Sequence, residues 1–554
     1  MNKKFLMLAL AGLMLTNAQT NAAVPSAINA GGQMNRLNEY IEQERAARKI
    51  EEDRAKKAAK VEGADTAKAS APEAAEVKLL LNKLVTDPSS VLTAEEISAI
   101  TKDYEGKEVT VKDLYKAVER INALYAEKGF ITCKAFLLQQ TIENGVVKVT
   151  LIEGKTGTVE VNGNKWTKTN YIKKRIASVK EEVVNINDLN QDMLRFNATN
   201  DVQLRIMMQA GKEPGTTDYV ITAYEPKQYN WNVFSDNAGN KTNGEVRGGL
   251  FFSAKSLTGS RDALMLGTVM SKGSKAVTTS YNHSLGRSGT KLNLGYNTNS
   301  VKTVKGAYKD MIKGHSNSVN LGVTQPWVVN EKTRSEAILE LNHQKSTTDF
   351  RLPGYSFRIV EDTLNDAFLG FAMTNYGNSH VFYQKHGFIV GKCDNVRDES
   401  TTYGLFKSNG FYQKVYQHGQ NISARGELQW SSKDNVPSAR QFYIGGMYSV
   451  RGYDENFRGA DKGLCMSVEY AVPLNAKKTV SAYTFLDYGQ LFGEDAESSN
   501  ANDALFSTGL GVKANIGKNI FANLTMGVPL KKNLKDGHDE PSSVKFNFTV
   551  NGQF

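Results

Sequence analysis

From residue 226 to the end of the chain, apolar and polar residues alternate in one short segment after another, with Gly, Asn, Asp and Ser between them. Tyr229, Trp231 and Val233 alternate with polar neighbours, as do Ala337, Leu339 and Leu341. Leu510, Val512, Ala514 and Ile516 follow the same rule, and so do Ile520, Ala522, Leu524, Met526 and Val528. The last segment sets Val544, Phe546, Phe548 and Val550 against Lys545, Asn547, Thr549 and Asn551, and the chain finishes on Phe554. A period of two predicts strands with one apolar and one polar face. A soluble sandwich buries that apolar face inside. A membrane barrel turns it to lipid and satisfies its backbone groups by closing on itself. The number of segments and their aromatic ends favour the barrel.

Upstream the period changes. Residues 34–60 are rich in Glu, Arg, Lys and Ala without Gly or Pro, which predicts a long helix. Its apolar residues are sparse (Met34, Leu37, Ile41, Ile50), so it must face water, a polar lumen or another charged surface. Residues 61–75 turn to Ala, Ser, Thr, Gly and Pro72 and read as a tether.

Two mixed α/β units follow, at 76–153 and 154–225. The first has a strand at 77–81 and a capping box, Thr93 to Glu96, opening a short helix. Leu114, Val118, Ile121 and Tyr125 then recur at helical spacing, and Gly129 stands where a helix end needs positive φ. Residues 131–136 and 146–153 pair as a hairpin, with Asn144-Gly145 before the last strand. The second unit repeats this order with a strand at 158–161, helices at 171–176 and 188–196, and strands at 203–208 and 219–224. Asp113-Leu114 and Asp188-Leu189 occupy matching places, so the pair reads as a tandem repeat.

Composition changes this picture at three points. Lys3 and Lys4, the apolar run of residues 5–15 and the small residues before Ala23 form an export signal over 1–23. The chain of 554 residues carries a formal charge of +10, but the cations are scattered and an exported chain rarely meets nucleic acid. A mean hydropathy of -0.42 suits a soluble protein, and barrels escape that measure. Cys133, Cys393 and Cys465 are an odd number, so at least one thiol stays unpaired, with a Cys393–Cys465 bridge one option. Catalytic motifs are missing: Gly154-Lys155-Thr156 has Val149, not Gly, where a phosphate loop begins, and neither Gly-x-Ser-x-Gly nor His-Glu-x-x-His occurs. No enzyme activity, cofactor or metal is expected, and the three cysteines lack ligand spacing.

The sharpest motif runs from Phe442 through Gly445-Gly446 to Val450-Arg451-Gly452-Tyr453. It resembles the loop of the barrel-assembly and two-partner secretion superfamily, and Phe485-Leu486-Asp487-Tyr488-Gly489 resembles the strand that partners it. The resemblance implies a loop folded into the lumen with Arg451 paired to Asp487. A fixed carboxylate is what a guanidinium inside a barrel needs. Asp236-Asn237-Ala238-Gly239 followed by Gly244 and Arg247 resembles the first barrel hairpin of two-partner secretion transporters, with Asn243 where Thr is usual. Residues 257–262 approximate the next turn, and Phe554 resembles an outer-membrane assembly signal.

The two α/β units are similar to paired polypeptide-transport-associated (POTRA) domains. The whole mature chain therefore resembles the TpsB-type transporters of the ShlB/FhaC/HecB haemolysin secretion/activation family. That resemblance implies POTRA domains at 76–153 and 154–225 in the periplasm and a 16-stranded outer-membrane barrel at 226–554, about 21 residues per strand and connection. It also implies a plug helix at 24–60, with a free periplasmic helix as the alternative. The implied function is export of an unfolded haemolysin- or adhesin-type exoprotein, received by strand addition to a POTRA sheet edge, without nucleotide hydrolysis. Outer-membrane lipid and the barrel-assembly machinery would be further partners. An assembly or insertion factor of the same superfamily, or a passive porin, is the alternative. Such factors usually carry more POTRA units, and a porin has no use for the loop motif.

Overall fold

The computed structural model describes residues 29–55, 61–63, 78–306, 308–395, 399–433, 436–492, 504–532 and 541–554. Side chains of the first helix are described as far as residue 43. The export signal, residues 56–60 and most of the tether lie outside the described residues. The chain divides into two compact units, one holding the α/β repeats and the other the barrel with the first helix.

In the first repeat, Lys83–Thr86 runs parallel to Val146–Glu153, which pairs antiparallel with Cys133–Phe136. In the second, Lys155–Asn162 runs parallel to Thr216–Tyr224, which pairs antiparallel with Gln203–Ala210. The topology is the same. The first repeat also holds a strand the pattern missed, Lys107–Thr110, and it pairs with Lys78–Leu81. The strand expected at 77–81 therefore lies in a separate ribbon, and Lys83–Thr86 takes the equivalent place in the main sheet. Four-residue strands are too short to display a period, and Asn82 breaks the run between them.

Helix Ala94–Thr101 opens on the expected box: Glu96 N donates to Thr93 Oγ1 at 3.3 Å and Thr93 N to Glu96 Oε2 at 3.0 Å. Helix Val111–Glu127 opens on a second one built from Thr110 and Asp113. Leu114, Ala117, Ile121 and Tyr125 face Leu81, Val147 and Val149, and all are essentially sealed from solvent. The second core gathers Ile172, Ile176, Leu189, Met193, Leu204 and Ile206. A shared detail marks the duplication. Asn122 brackets the edge strand, taking the N–H of Ala135 at 2.7 Å and donating to its carbonyl at 3.2 Å. Asn197 does the same to Leu204, at 2.7 and 3.0 Å. The two Asn are as far apart in the chain as Asp113 and Asp188.

Sixteen strands among the described residues close into an antiparallel barrel, the last, Lys545–Gln553, meeting the first, Tyr229–Asp236. Strand length grows from 8 residues in the first to 22 in Tyr355–Tyr376. The alternating apolar sets all point outward: Trp231, Leu339, Leu341, Leu510, Leu524, Phe546 and Val550 are all exposed. Inside, Ser316, Gln344, Ser346, Asn297 and Asn299 are buried. This inversion of a soluble core is what lipid requires. No helix among the described residues is long and apolar enough to cross a membrane.

All three cysteines are free and buried, so the optional Cys393–Cys465 bridge is not formed. Two strands stand between those that carry them. Three strand spacings of about 4.8 Å put the pair far beyond the ~7 Å reach of a disulfide.

Candidate functional site: the filled lumen

The chain between the strands Asn421–Ser431 and Lys462–Pro473 folds into the barrel and builds a small core of its own there. Phe442, Ile444, Val450, Tyr453 and Ala460 pack on Cys465, Leu491 and Leu505 of the wall. A short ribbon, Phe442–Ile444 against Arg458–Ala460, holds its base. Gly452 takes φ +95°, and a Cβ there would press on Gly527 and Pro529 of the wall. Glycine is needed for both the turn and the close approach. Tyr453 OH donates to the carbonyls of Phe506 and Lys531 at 3.1 and 2.7 Å.

Arg451 reaches the wall at the position the motif implies. Its Nε and Nη2 donate to the two oxygens of Asp487, both at 2.8 Å, and its backbone N–H donates to Asp487 Oδ2 at 3.0 Å. Nη1 donates to Glu469 at 3.1 Å and Nη2 to Ser467 Oγ at 3.1 Å. The guanidinium lies 3.5 Å over the Phe485 ring. Lys513, partly open to solvent, pairs with the other oxygen of Glu469, so two cations meet two carboxylates and the cluster is neutral. Gly489 leaves room for the loop: a Cβ there would stand 2.9 Å from Val450 and 3.1 Å from Ile444. Each residue of Phe485, Asp487 and Gly489 thus has a separate task, as stacking plate, anion and clearance. The Glu469, Ser467 and Lys513 contributions escaped the sequence reading. Their inward parity on alternating strands was visible, but only register brings them together.

The first hairpin lies beside this loop. Arg247 and Asp236 are direct cross-strand partners. Arg247 Nε and Nη2 each donate to Asp236 at 2.9 Å, and the carboxylate is sealed from solvent. Asn237 closes the barrel seam by donating to the Phe546 carbonyl at 2.8 Å and accepting from Phe548 N at 2.9 Å. At the other end of the seam Phe554 and Trp231 exchange two backbone hydrogen bonds of 2.9 Å. Gly239 N donates to Glu245 O at 2.8 Å, where a Cβ would strike the Gly244 carbonyl, and Gly244 turns at φ +109°. At the Asn243 departure the turn uses the backbone: Gly273 N and Ser271 Oγ donate to its carbonyl. In the following turn Asp262 accepts from Thr258 N at 3.0 Å and Oγ1 at 2.7 Å.

The helix Ala30–Ala55 belongs to the same compact unit and lies against the lumen wall. Ala30 and Met34 are buried, and a Cβ on Gly31 would stand 2.5 Å from Ser346 Oγ. Asn29 and Asn35 donate to Ser438 Oγ and the Ala439 carbonyl at 2.8 and 2.7 Å. Further along, its charges meet opposite charges on the wall: Glu39 with Lys407 at 2.5 Å, Glu42 with Lys385 at 3.3 Å, and Arg36 with Glu427 at 3.8 Å. Tyr40 lies on Tyr448 of the loop, ring centroids 3.8 Å apart, and Tyr448 OH donates to Asp236 at 3.5 Å. Hairpin, loop and helix are therefore one connected network. A cavity of about 570 Å³ remains beside the helix, lined by polar residues such as Asn293, Asn320, Glu340, Asp366 and Arg440 and by apolar ones such as Ile338 and Phe368. Among the described residues no cluster of His, Cys, Asp and Glu is placed to hold a metal.

Comparison with known proteins agrees with this geometry. The model of the haemolysin secretion/activation protein family ShlB/FhaC/HecB matches residues 215–514, and that of the ShlB-type POTRA domain matches residues 79–154. The heme/hemopexin transporter protein HuxB of Haemophilus influenzae is 23% identical over 471 residues, covering 80% of this chain and 82% of HuxB. The outer membrane transporter CdiB of Dickeya dadantii is 21% identical over 451 residues, covering 76% of this chain and 78% of CdiB. The solved structure of CdiB from Escherichia coli gives a TM-score of 0.69 at 17% identity, over 94% of this chain and 98% of that one. At such identity the likeness is one of fold.

Proposed function

Because the chain belongs to the haemolysin secretion/activation family ShlB/FhaC/HecB and is an outer-membrane transporter of the two-partner secretion type, we propose that it receives an unfolded haemolysin- or adhesin-type exoprotein at its POTRA units. On this reading those units stand in the periplasm and pass the partner through the barrel lumen without nucleotide hydrolysis. The observation that carries the reading is the charge-matched helix inside the pore. A lumen wall complementary to the helix can hold it, and polar half-exposed contacts let it leave. The remaining polar wall, rich in Asn, Ser and Thr, suits an extended chain whose backbone must be solvated in transit.

Strand addition has support within the chain itself. Glu62 of the tether adds to the edge of Gln203–Ala210: its N–H donates to the Ile206 carbonyl at 2.9 Å and its carbonyl accepts from Met208 N at 3.0 Å. The equivalent edge of the first repeat, past Ala135, is the place proposed for the partner. Arg451 and Asp487 are proposed to hold the loop that shapes the pore, and Asp236, Arg247 and Phe554 to support barrel assembly around it.

Co-expression with a large exported adhesin or haemolysin tests the proposal. Partner appearing in the medium only with the transporter is expected. Partner binding retained after deletion of residues 94–153 would overturn the POTRA assignment, and failure of purified proteoliposomes to translocate without nucleotide would overturn the energetics.

A further inference from the structure

The second repeat carries a run of cations that neither the export reading nor the fold explains. Between Glu160 and Glu181 there is no acidic residue, while Lys165, Lys168, Lys173, Lys174, Arg175 and Lys180 all fall within it. The segment comprises a loop, the short helix Thr169–Arg175 and the 3-10 turn Ala177–Lys180. It turns Tyr171, Ile172, Ile176 and Val179 into the core, which leaves Lys165, Lys168, Lys174 and Lys180 on the outside. Lys173 is used internally, donating to the Val159 carbonyl at 2.7 Å. No ion pair joins these cations to an acidic side chain among the described residues, although Glu182 close by is paired with Lys155. Arg175 is half buried, stacked 3.5 Å over the Tyr171 ring, and its Nε has no hydrogen-bond partner.

One large aromatic side chain stands in this basic surface. Trp166 is 37% exposed, and Lys165 Nζ lies 4.6 Å over its ring. The loop is not loose: Glu225 accepts from Trp166 N at 2.7 Å and Thr167 N at 2.8 Å, and also binds the Thr167 hydroxyl. In the chain, Glu225 comes just before Tyr229, where the barrel begins an outward aromatic group of Tyr229, Trp231 and Phe252. Such groups mark the level of lipid headgroups in barrels. An exposed Trp set among unpaired Lys and Arg is the composition that binds an anionic lipid surface, with the ring at the headgroup level and the cations on phosphates.

We propose that the surface of Lys165, Trp166, Lys168, Lys174, Arg175 and Lys180 docks on an anionic phospholipid layer. This anchors the second repeat to the membrane that holds the barrel. An acidic polypeptide segment is the competing occupant. The exposed Trp and its tie to the residue leading into the aromatic group favour lipid, because a purely electrostatic peptide site needs neither. The proposal goes beyond export and is tested without an exported partner, so the two readings fail separately.

The test uses the full chain in lipid nanodiscs, with W231F, W327F and W430F leaving Trp166 as the one tryptophan. All three replaced residues face outward on barrel strands and keep an aromatic ring. Quenching by a spin label near the lipid headgroup is measured with phosphatidylcholine alone and with added phosphatidylglycerol. The expected result is quenching that appears with phosphatidylglycerol, fades as salt rises from about 0.1 M to about 1 M, and is lost in K165Q/K168Q/K174Q/K180Q while the barrel stays heat-resistant. Quenching that ignores phosphatidylglycerol or the four substitutions overturns it. So does protection of Trp166 from iodide by polyglutamate in neutral nanodiscs, since that identifies a peptide site.

Discussion

Loop and helix both fill the lumen, yet they are attached in opposite ways. The loop buries its guanidinium against the sealed carboxylate of Asp487, seats apolar side chains on the wall, and threads a glycine where no other residue fits. The helix buries its first turn, Ala30 to Met34, but is otherwise mostly polar. Its ion pairs are partly open to solvent, with Lys407 29% and Glu39 35% exposed at the side chain. Breaking a buried pair strands a charge and costs about 3–5 kcal/mol, whereas an open pair contributes about 0.2–1 kcal/mol. We propose that the same lumen thus holds one permanent element and one that can be released.

The largest expected effect is on the loop side. Arg451→Ala or Asp487→Ala should each destabilise the loop by about 3–5 kcal/mol and abolish export to the same degree, read by partner in the medium. If Asp487→Ala exports normally, the clamp is not what holds the loop. Next comes a reporter of loop seating. Cys465 is buried beneath the loop, 3.3 Å from Ser449 Oγ. With Cys133 and Cys393 replaced by Ala, maleimide should label it slowly in the parent chain and fast in Arg451→Ala. Deleting residues 30–55 should accelerate labelling less: the helix touches the loop through Arg36 and Tyr40, but the apolar contacts that seat the loop on the wall stay in place. Equal acceleration by both changes would merge the two classes of attachment.

Smaller effects separate the helix. Lys407→Ala should raise channel opening in planar bilayers by up to about fivefold, the equivalent of about 1 kcal/mol. Raising salt from about 0.1 M to 1 M cuts the screening length from about 10 to about 3 Å and should mimic it. A salt-insensitive conductance would place the helix in the permanent class. The first repeat supplies the smallest effect and a contrast with both. Burial pushes the Glu153 carboxyl up, but donors from Ser89, Ser90 and Tyr125 outweigh it and hold the group below its ordinary value. A lowered folded value means the stabilisation is complete above the unfolded value near 4.3 and is lost as pH falls through the folded one. Glu153→Gln should therefore flatten the acid limb of unfolding of this repeat below about pH 4.3, followed by circular dichroism, and leave neutral export intact.

Period and parity made most of the architecture legible. The outward positions of Leu339, Phe546 and Val550 followed from alternation alone, because a strand has only two faces. The helix expected at 34–60 and found at Ala30–Ala55 was legible as one that no core could accept, and its described side chains, as far as residue 43, meet the lumen wall. The motif residues Arg451 and Asp487 were legible by resemblance, as were Asp236 and Arg247. Lys83–Thr86 and Lys107–Thr110 were not, since four residues carry no measurable period.

By itself the sequence determined which positions face lipid, where the capped helix at Thr93 opens, and that the second α/β unit repeats the first. These depend on neighbours a few residues away. Only the tertiary structure decided which lumen charges meet. Glu469 joins Arg451 and Lys513, Tyr40 meets Tyr448, and Asn122 and Asn197 bracket their edge strands. Those pairings depend on strand register and on how far a loop folds back. Both are set by closure of the whole barrel or sheet, a constraint spread across residues far apart in the chain.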